Sequence, residues 1–271
     1  MNSIPLVLEP DDLDLLLDDK RLLIVDLSNQ GQYLKAHVPG AIHLPPSLLQ
    51  CGIKPAPGKL PALNELNLLF SELGLTPDKH VIAYDDEGGG WAGRLIWTLD
   101  VIGHNQYSYL NGGITAWANE GHPCETQVNT AEPVDFHCHE INTTPIAEAD
   151  DILRKLGGKN FAIWDARSRD EYDGIKILAA KAGHIPGAVH YEWTDMMDPS
   201  RHLRLLDLQS IQAKLNELGL TPDKEIVTHC QSHHRSGFTY LVAKILGYPN
   251  VKAYHGSWGE WGNLPDTPVE I

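Results

Sequence analysis

The chain repeats itself, and this constrains its fold more than any other property. Leu23-Ile-Val-Asp-Leu-Ser28 is answered by Ala162-Ile-Trp-Asp-Ala-Arg167, each an apolar run that reaches an aspartate, Asp26 or Asp165. Ala36-His-Val-Pro-Gly-Ala-Ile-His43 returns as Gly183-His-Ile-Pro-Gly-Ala-Val-His190 after 147 residues, and Leu73-Gly-Leu-Thr-Pro-Asp-Lys79 returns as Leu218-Gly-Leu-Thr-Pro-Asp-Lys224 after 145. Tyr109-Leu-Asn-Gly-Gly-Ile-Thr-Ala-Trp117 matches Ala253-Tyr-His-Gly-Ser-Trp-Gly-Glu-Trp261 at 144. Four matches in one order imply two copies of one fold, ~120 residues each. The expected organisation is an N-terminal domain over residues 1–122, a polar linker over 123–144 and a C-terminal domain over 145–271.

Within each copy, short apolar strands alternate with helical patterns such as Pro61 to Leu73 and Leu206 to Leu218. That alternation predicts an α/β fold, a parallel sheet covered by helices on both faces. Ligands of such sheets bind beyond the carboxyl ends of the strands. Composition agrees with two packed domains: 271 residues, 42% of them hydrophobic, suffice for sizeable cores. The 21 basic and 36 acidic side chains give a net charge of −15, which argues against nucleic acid or an anionic membrane as partner. The stretch from Met1 to Asp12 has no basic flank and no long apolar run, so no secretory leader is expected. No segment approaches the ~18 apolar residues of a membrane span. Cys51, Cys124, Cys138 and Cys230 form no Cys-x-x-Cys pair and no zinc-like spacing, so free thiols in a reducing cytoplasm are expected, with no bound metal.

One of these cysteines stands where chemistry is done. Glu225-Ile-Val-Thr-His-Cys230 reads as a buried strand, and Ser236 to Leu246 has the apolar spacing of a helix ended by Gly247. Cys230 therefore sits at a strand tip, followed by the loop Gln231, Ser232, His233, His234 and Arg235. The loop's backbone N–H groups are expected to converge on the sulfur, with a helix N-terminus and Arg235 adding positive potential. Such surroundings lower a thiol pKa and keep the nucleophilic thiolate. In the first copy, Val81-Ile-Ala-Tyr-Asp85 places Asp85 opposite Cys230, and Asp86-Glu-Gly-Gly-Gly-Trp-Ala-Gly-Arg94 is acidic where the second copy is basic. A carboxylate is a poor sulfur carrier, so the first copy is expected to be catalytically silent. Gly88-Gly-Gly90 lacks the Lys-Ser/Thr of a phosphate-binding loop and lies among acids.

The tandem layout, Tyr33-Leu-Lys-Ala-His-Val-Pro-Gly-Ala41, its counterpart around His184-Ile-Pro-Gly-Ala188, the loop cysteine in the second copy alone and Tyr254-His-Gly-Ser-Trp-Gly-Glu-Trp261 together resemble the tandem-domain rhodaneses. The loop is most similar to that of bacterial thiosulfate:cyanide sulfurtransferases, which reads Cys-Gln-x-His-His-Arg. The resemblance covers essentially the whole chain. It implies that Cys230 takes the outer sulfur of thiosulfate as a persulfide and passes it to cyanide or another acceptor, by ping-pong kinetics and without a cofactor. Arg235, Gln231, Ser232, His233 and His234 would surround the bound species, with Arg235 and the loop amides stabilising the terminal sulfur. The partners implied are a small-molecule donor and acceptor, and a monomer is expected.

The chain also departs from patterns of that family. Mercaptopyruvate sulfurtransferases, the alternative reading, typically carry Gly-Ser-Gly-Val-Thr after the cysteine, and the animal thiosulfate enzymes a loop lysine; Gln231 to Arg235 has neither. Many relatives have an arginine before the aromatic residue that follows Asp-x-Arg, where Asp165-Ala-Arg-Ser-Arg-Asp-Glu-Tyr172 has Glu171. A cysteine phosphatase is the rival from another class, since His229-Cys230 with a following arginine is similar to that signature. Phosphatases enclose phosphate with five residues between Cys and Arg, whereas four, Gln231 to His234, lie here.

Recurrence separates structural from catalytic residues. His37 and His184 occur in both copies, so a hydrogen bond in the turn is expected of each. Asp26 and Asp165 are expected to hold strand ends together. Alternation turns His229 away from the side of Cys230. Trp193 could line the site or fill core, Trp258 and Trp261 are expected to pack the C-terminal segment, and Cys51, Cys124 and Cys138 are expected to be inert.

Overall fold

The computed structural model describes residues 4–271; the first three residues of the stretch read for a leader lie outside them. In chain order the strands are β1 (Val7–Leu8), β2 (Leu22–Asp26), β3 (Ile42–His43), β4 (His80–Tyr84), β5 (Tyr107–Leu110), β6 (Ile146–Ala147), β7 (Phe161–Asp165), β8 (Val189–His190), β9 (Met197–Asp198), β10 (Arg204–Leu205), β11 (Glu225–His229) and β12 (Val251–Tyr254). Among the described residues they form two five-stranded sheets, ordered β1-β5-β4-β2-β3 and β6-β12-β11-β7-β8, and a two-stranded ribbon, β9-β10. Every pairing within the two large sheets is parallel. The strand orders are those of one topology used twice, as the repeat predicts.

Parallel strands in the middle of such a sheet are covered on both faces, which is why β4 and β11 read as near-continuous apolar runs. Val81, Ile82, Ala83 and Tyr84 of β4 are buried, as are Ile226, Val227, Thr228 and His229 of β11. Each of these central strands feeds a buried helix, Gly90–Val101 in the first copy and Arg235–Ile245 in the second. The amphipathic helices Leu63–Glu72 and Leu208–Glu217 lie inside the two predicted helical stretches, trimmed by a residue or two at each end. Among the described residues no helix is long and apolar enough to cross a membrane.

The chain divides into two compact units that do not follow its order. The first contains the described residues up to Leu49, Pro61–Asn142 and Met197–Leu205; the second contains Gln50–Leu60, Thr143–Met196 and Leu206–Ile271. A short piece of each half of the sequence is thus built into the unit made by the other half. Residues 123–142, most of the polar stretch read as the linker over 123–144, belong to the first unit. His37 and Glu125 form a β-bridge, the Glu125 carboxylate accepts from Gly40 N–H at 2.6 Å, and Asn129 N–H donates to Tyr33 Oη at 3.0 Å. The C-terminal tail repeats the arrangement, with a bridge from His184 to Glu270 and a 2.9 Å bond from Gly187 N–H to the Glu270 carboxylate. His37 and His184 have the same settings: each stacks on a tyrosine, Tyr33 or Tyr172, and places Nδ1 on that tyrosine's carbonyl oxygen.

Candidate active site

Cys230 follows β11 directly and is 1% exposed. The loop after it is anchored at both ends of its turn. Trp258 N–H donates to the Cys230 carbonyl and Gly259 N–H to that of Gln231, each at 2.9 Å. Ser257 Oγ accepts from two loop amides, Cys230 N–H at 3.3 Å and His233 N–H at 3.1 Å, while its own hydroxyl donates to Tyr254 O at 2.8 Å. The His233 amide, expected to point at the sulfur, is therefore spent on Ser257. Both residues hold φ near +53°, a conformation that costs a non-glycine residue energy and persists only where packing fixes it. Ser257 replaces Gly113 of the repeat, which has φ +55° and approaches Asp85 O so closely that a Cβ would stand 2.1 Å away. That Gly-to-Ser difference between the copies is the sequence signal by which Ser257 could have been found.

A second loop contact comes from the segment inserted from the first half of the chain. Gln50 Nε2 donates to Ser232 O at 3.0 Å, and Gly58 lies flat on the same peptide, leaving no room for a side chain. Ser232 therefore takes part through its carbonyl, which faces Gln50.

Around the sulfur, Ser236 Oγ–H donates to Sγ at 3.5 Å, and His233 Nδ1 lies 2.8 Å from the same Oγ. Because the hydroxyl proton goes to sulfur, His233 must donate, which sets its Nδ1–H tautomer. His233 is wholly buried, and its Nδ1 contact is with Ser236, the residue that faces the sulfur. His234 instead has its ring edge-on to Trp193, with centroids 5.5 Å apart. Gln231 turns its amide to Leu178 O. Burial alone would raise the Cys230 pKa; the Arg235 charge, the two Ser236 donors and His234 outweigh it and bring it below the ordinary thiol value.

Arg235 begins the helix Arg235–Ile245 and its guanidinium is held in a fork: Nη1 to Glu171 Oε2 at 2.6 Å and Nη2 to Glu171 Oε1 at 2.9 Å. Burial would push Glu171 up, yet Arg235 and the Ser168 hydroxyl hold it at about 2. Beneath the loop, Asp165 at the tip of β7 grips Arg167 with both oxygens, and Arg167 stacks over Trp258 at 4.4 Å. His229 Nε2 lies 3.5 Å from Asp165. Burial depresses His229 to about 4, so at neutral pH it is uncharged and Arg167 is the partner that keeps Asp165 ionised.

The first unit holds the counterpart in a closed form. Asp85, fully buried at the tip of β4, accepts four backbone N–H bonds: Glu87 and Gly89 to Oδ1 at 3.1 and 2.8 Å, Trp91 and Ala92 to Oδ2 at 2.9 and 3.0 Å. Its glycine-rich loop thus wraps a carboxylate that belongs to the chain itself. Burial, with the Glu87 charge next, raises Asp85 to about 6 despite those donors. Among the described residues no group of three or more His, Cys, Asp or Glu side chains could hold a metal ion.

Two parallel α/β units, one with a carboxylate and one with an activated cysteine at the same central strand tip, define a tandem protein with a single cysteine centre. The family model described as "Rhodanese-like domain" matches residues 9–120 and 148–264, and the chain belongs to that family, with two copies of the domain. A thiosulfate sulfurtransferase of Azotobacter vinelandii is 56% identical over 271 residues, covering 99% of this chain and 98% of its own. A thiosulfate sulfurtransferase of Pseudomonas aeruginosa is 52% identical and covers 100% and 98%. The 3-mercaptopyruvate sulfurtransferase of Escherichia coli is more distant, at 29% over 94% of each chain. Among solved structures, the anaerobic ergothioneine biosynthesis enzyme of Chlorobium limicola superposes with a TM-score of 0.89 at 21% identity, over 98% of this chain and 70% of that one, a likeness of fold.

Proposed function

We propose that this protein is a thiosulfate sulfurtransferase that carries sulfur as a persulfide on Cys230. The setting of Cys230 carries the reading: a buried sulfur, facing the Ser236 hydroxyl and the charge of Arg235, ionises more readily than an ordinary thiol. The full-length relatives at 56% and 52% identity support thiosulfate as donor, and the distance of the mercaptopyruvate enzyme favours it over that alternative.

The Cys230 thiolate attacks the outer sulfur of thiosulfate. A bond forms between Sγ and that sulfur, the S–S bond of the donor breaks, and its electron pair leaves with sulfite. Cyanide or another thiophilic nucleophile then attacks the outer sulfur, and the pair of the Sγ–S bond returns to Sγ. Ser236 O–H and Arg235 meet the negative charge on sulfur in both halves, as preorganised donors do in a site that excludes water. The covalent intermediate is itself the carrier, so neither metal nor organic cofactor is required. Four residues between Cys230 and Arg235 make a loop suited to a single sulfur atom and too short for phosphate.

Intact mass after thiosulfate treatment tests the reading. A gain of ~32 Da that cyanide removes, and that Cys230→Ala abolishes, is the expected result. No gain in the wild type, or a gain retained by Cys230→Ala, overturns it.

A further inference from the structure

Glu171 holds its carboxylate at the site in a fixed position, where its charge opposes an anionic donor. It is 2% exposed, its Oε2 accepts the Ser168 hydroxyl at 2.8 Å, and both its oxygens face Arg235. Buried and tied from behind, it has little freedom to swing away. Arg235 in turn supplies the leading positive charge felt by Cys230. A guanidinium offers two parallel N–H bonds along one edge, and the group that matches this edge is a planar carboxylate. In this protein the edge is already filled by a carboxylate of the chain.

We propose that Glu171 determines donor specificity: by occupying the fork of Arg235 with its own carboxylate, it excludes sulfur donors that bear a carboxylate, the thiol-substituted 2-oxo acids foremost. The inference rests on the sulfurtransferase reading above and names the donor class within it. A tetrahedral sulfonate has no need of the fork, because its three oxygens can take single N–H bonds from separate directions. A 2-oxo acid such as 3-mercaptopyruvate presents a planar carboxylate that meets a filled fork and the charge of Glu171 together. Glu171 acts through Arg235 and is therefore a positioning residue. A site whose complementary edge is taken rejects a ligand far more effectively than one that is merely a poor fit.

With the fork vacated, the chemistry available to such a donor balances without a further reagent. The Cys230 thiolate attacks the thiol sulfur, the C–S bond breaks, its electron pair goes to carbon as the enolate, and the thiol proton moves to that carbon. The products are the 2-oxo acid and the persulfide anion.

The test compares kcat/KM for 3-mercaptopyruvate and thiosulfate in the full chain, as wild type, Glu171→Ala and Glu171→Gln, with folding checked by near-ultraviolet circular dichroism. Glu171→Ala is expected to raise the ratio of mercaptopyruvate to thiosulfate at least about tenfold, mainly through KM, and Glu171→Gln, which keeps one oxygen for the fork, less. Acetate serves as a free carboxylate probe: it should compete with mercaptopyruvate in Glu171→Ala and have little effect on the wild type. An unchanged ratio in both folded variants, or equal acetate inhibition of variant and wild type, overturns the proposal. The mass gain of the wild type with thiosulfate reports separately on the reading beneath it.

Discussion

Gly58 and Ser232 are in backbone contact: a Cβ built on Gly58 stands 2.1 Å from Ser232 O and 2.5 Å from its carbonyl carbon. No rotamer relieves such a clash, because both partners are main chain. Gly58→Ala must therefore displace the cysteine loop or the segment against it. We expect a stability loss of about 1–3 kcal/mol, the range for overpacking, and a larger proportional loss of persulfide formation. Thermal denaturation alongside thiosulfate:cyanide turnover checks both. Gln50→Ala, which removes only the bond to Ser232 O, should give a milder form of the same effect.

The lowered pKa of Cys230 predicts its reactivity with pH. The Cys230 thiol is shifted down from its ordinary value, chiefly by the charge of Arg235, so alkylation by iodoacetamide should persist to lower pH than for a free cysteine. Replacing Arg235 by methionine, together with Glu171→Gln so that no carboxylate is left buried without its partner, should move the alkylation profile to higher pH. The sign for stability follows from linkage. A depressed acid stabilises the fold above its unfolded pKa and loses that contribution as pH falls through the folded one, so the thiolate's contribution grows as pH rises from the folded pKa and is complete above the unfolded one.

Ser236 donates to the sulfur that, in the proposed mechanism, departs as thiolate when the persulfide is discharged. Ser236→Ala should slow cyanide discharge of preloaded enzyme about tenfold, the scale of one lost charge-assisted hydrogen bond, and Ser236→Thr should restore most of the rate. Single-turnover kinetics on the persulfide form isolate this step. An unaltered discharge rate in Ser236→Ala would remove the hydroxyl from the mechanism.

In the first unit, Asp85→Ala leaves four N–H groups without this acceptor, those of Gly89 and Ala92 buried and those of Glu87 and Trp91 partly buried. The expected cost is about 3 kcal/mol, since unmade bonds at buried donors forfeit their full desolvation penalty. Sulfate should return part of that stability to the variant and do nothing specific for the wild type, whose nest is filled. Denaturant unfolding with and without sulfate, against a chloride control of equal ionic strength, measures the difference.

The repeat, the two parallel sheets and the strand-tip position of Cys230 were legible because each depends on local periodicity or on the chain's comparison with itself. Asp85 was legible for the same reason, by its offset from Cys230. The fork between Arg235 and Glu171 was not, although the departure at Glu171 was visible: 64 residues separate the pair, and no spacing rule joins them. Gln50 and Gly58 escaped notice because a segment's own residues do not state which unit it joins. The burial of His233 was not legible either, because its left-handed backbone and the bond of its amide to Ser257 depend on a residue 24 positions away.

The exchanged segments bear on how such a chain could have arisen and persisted. A first copy that merely accompanied the second could be deleted without loss, yet Gln50 and Gly58, the residues that brace the cysteine loop, are encoded in the half of the chain built around Asp85. Conversely, Met197 to Leu205, encoded in the half that carries Cys230, completes the unit built around Asp85, where Leu205 N–H donates to Asn111 Oδ1. Each copy has become an heir to part of the other's architecture, so neither can be inherited alone as a finished domain.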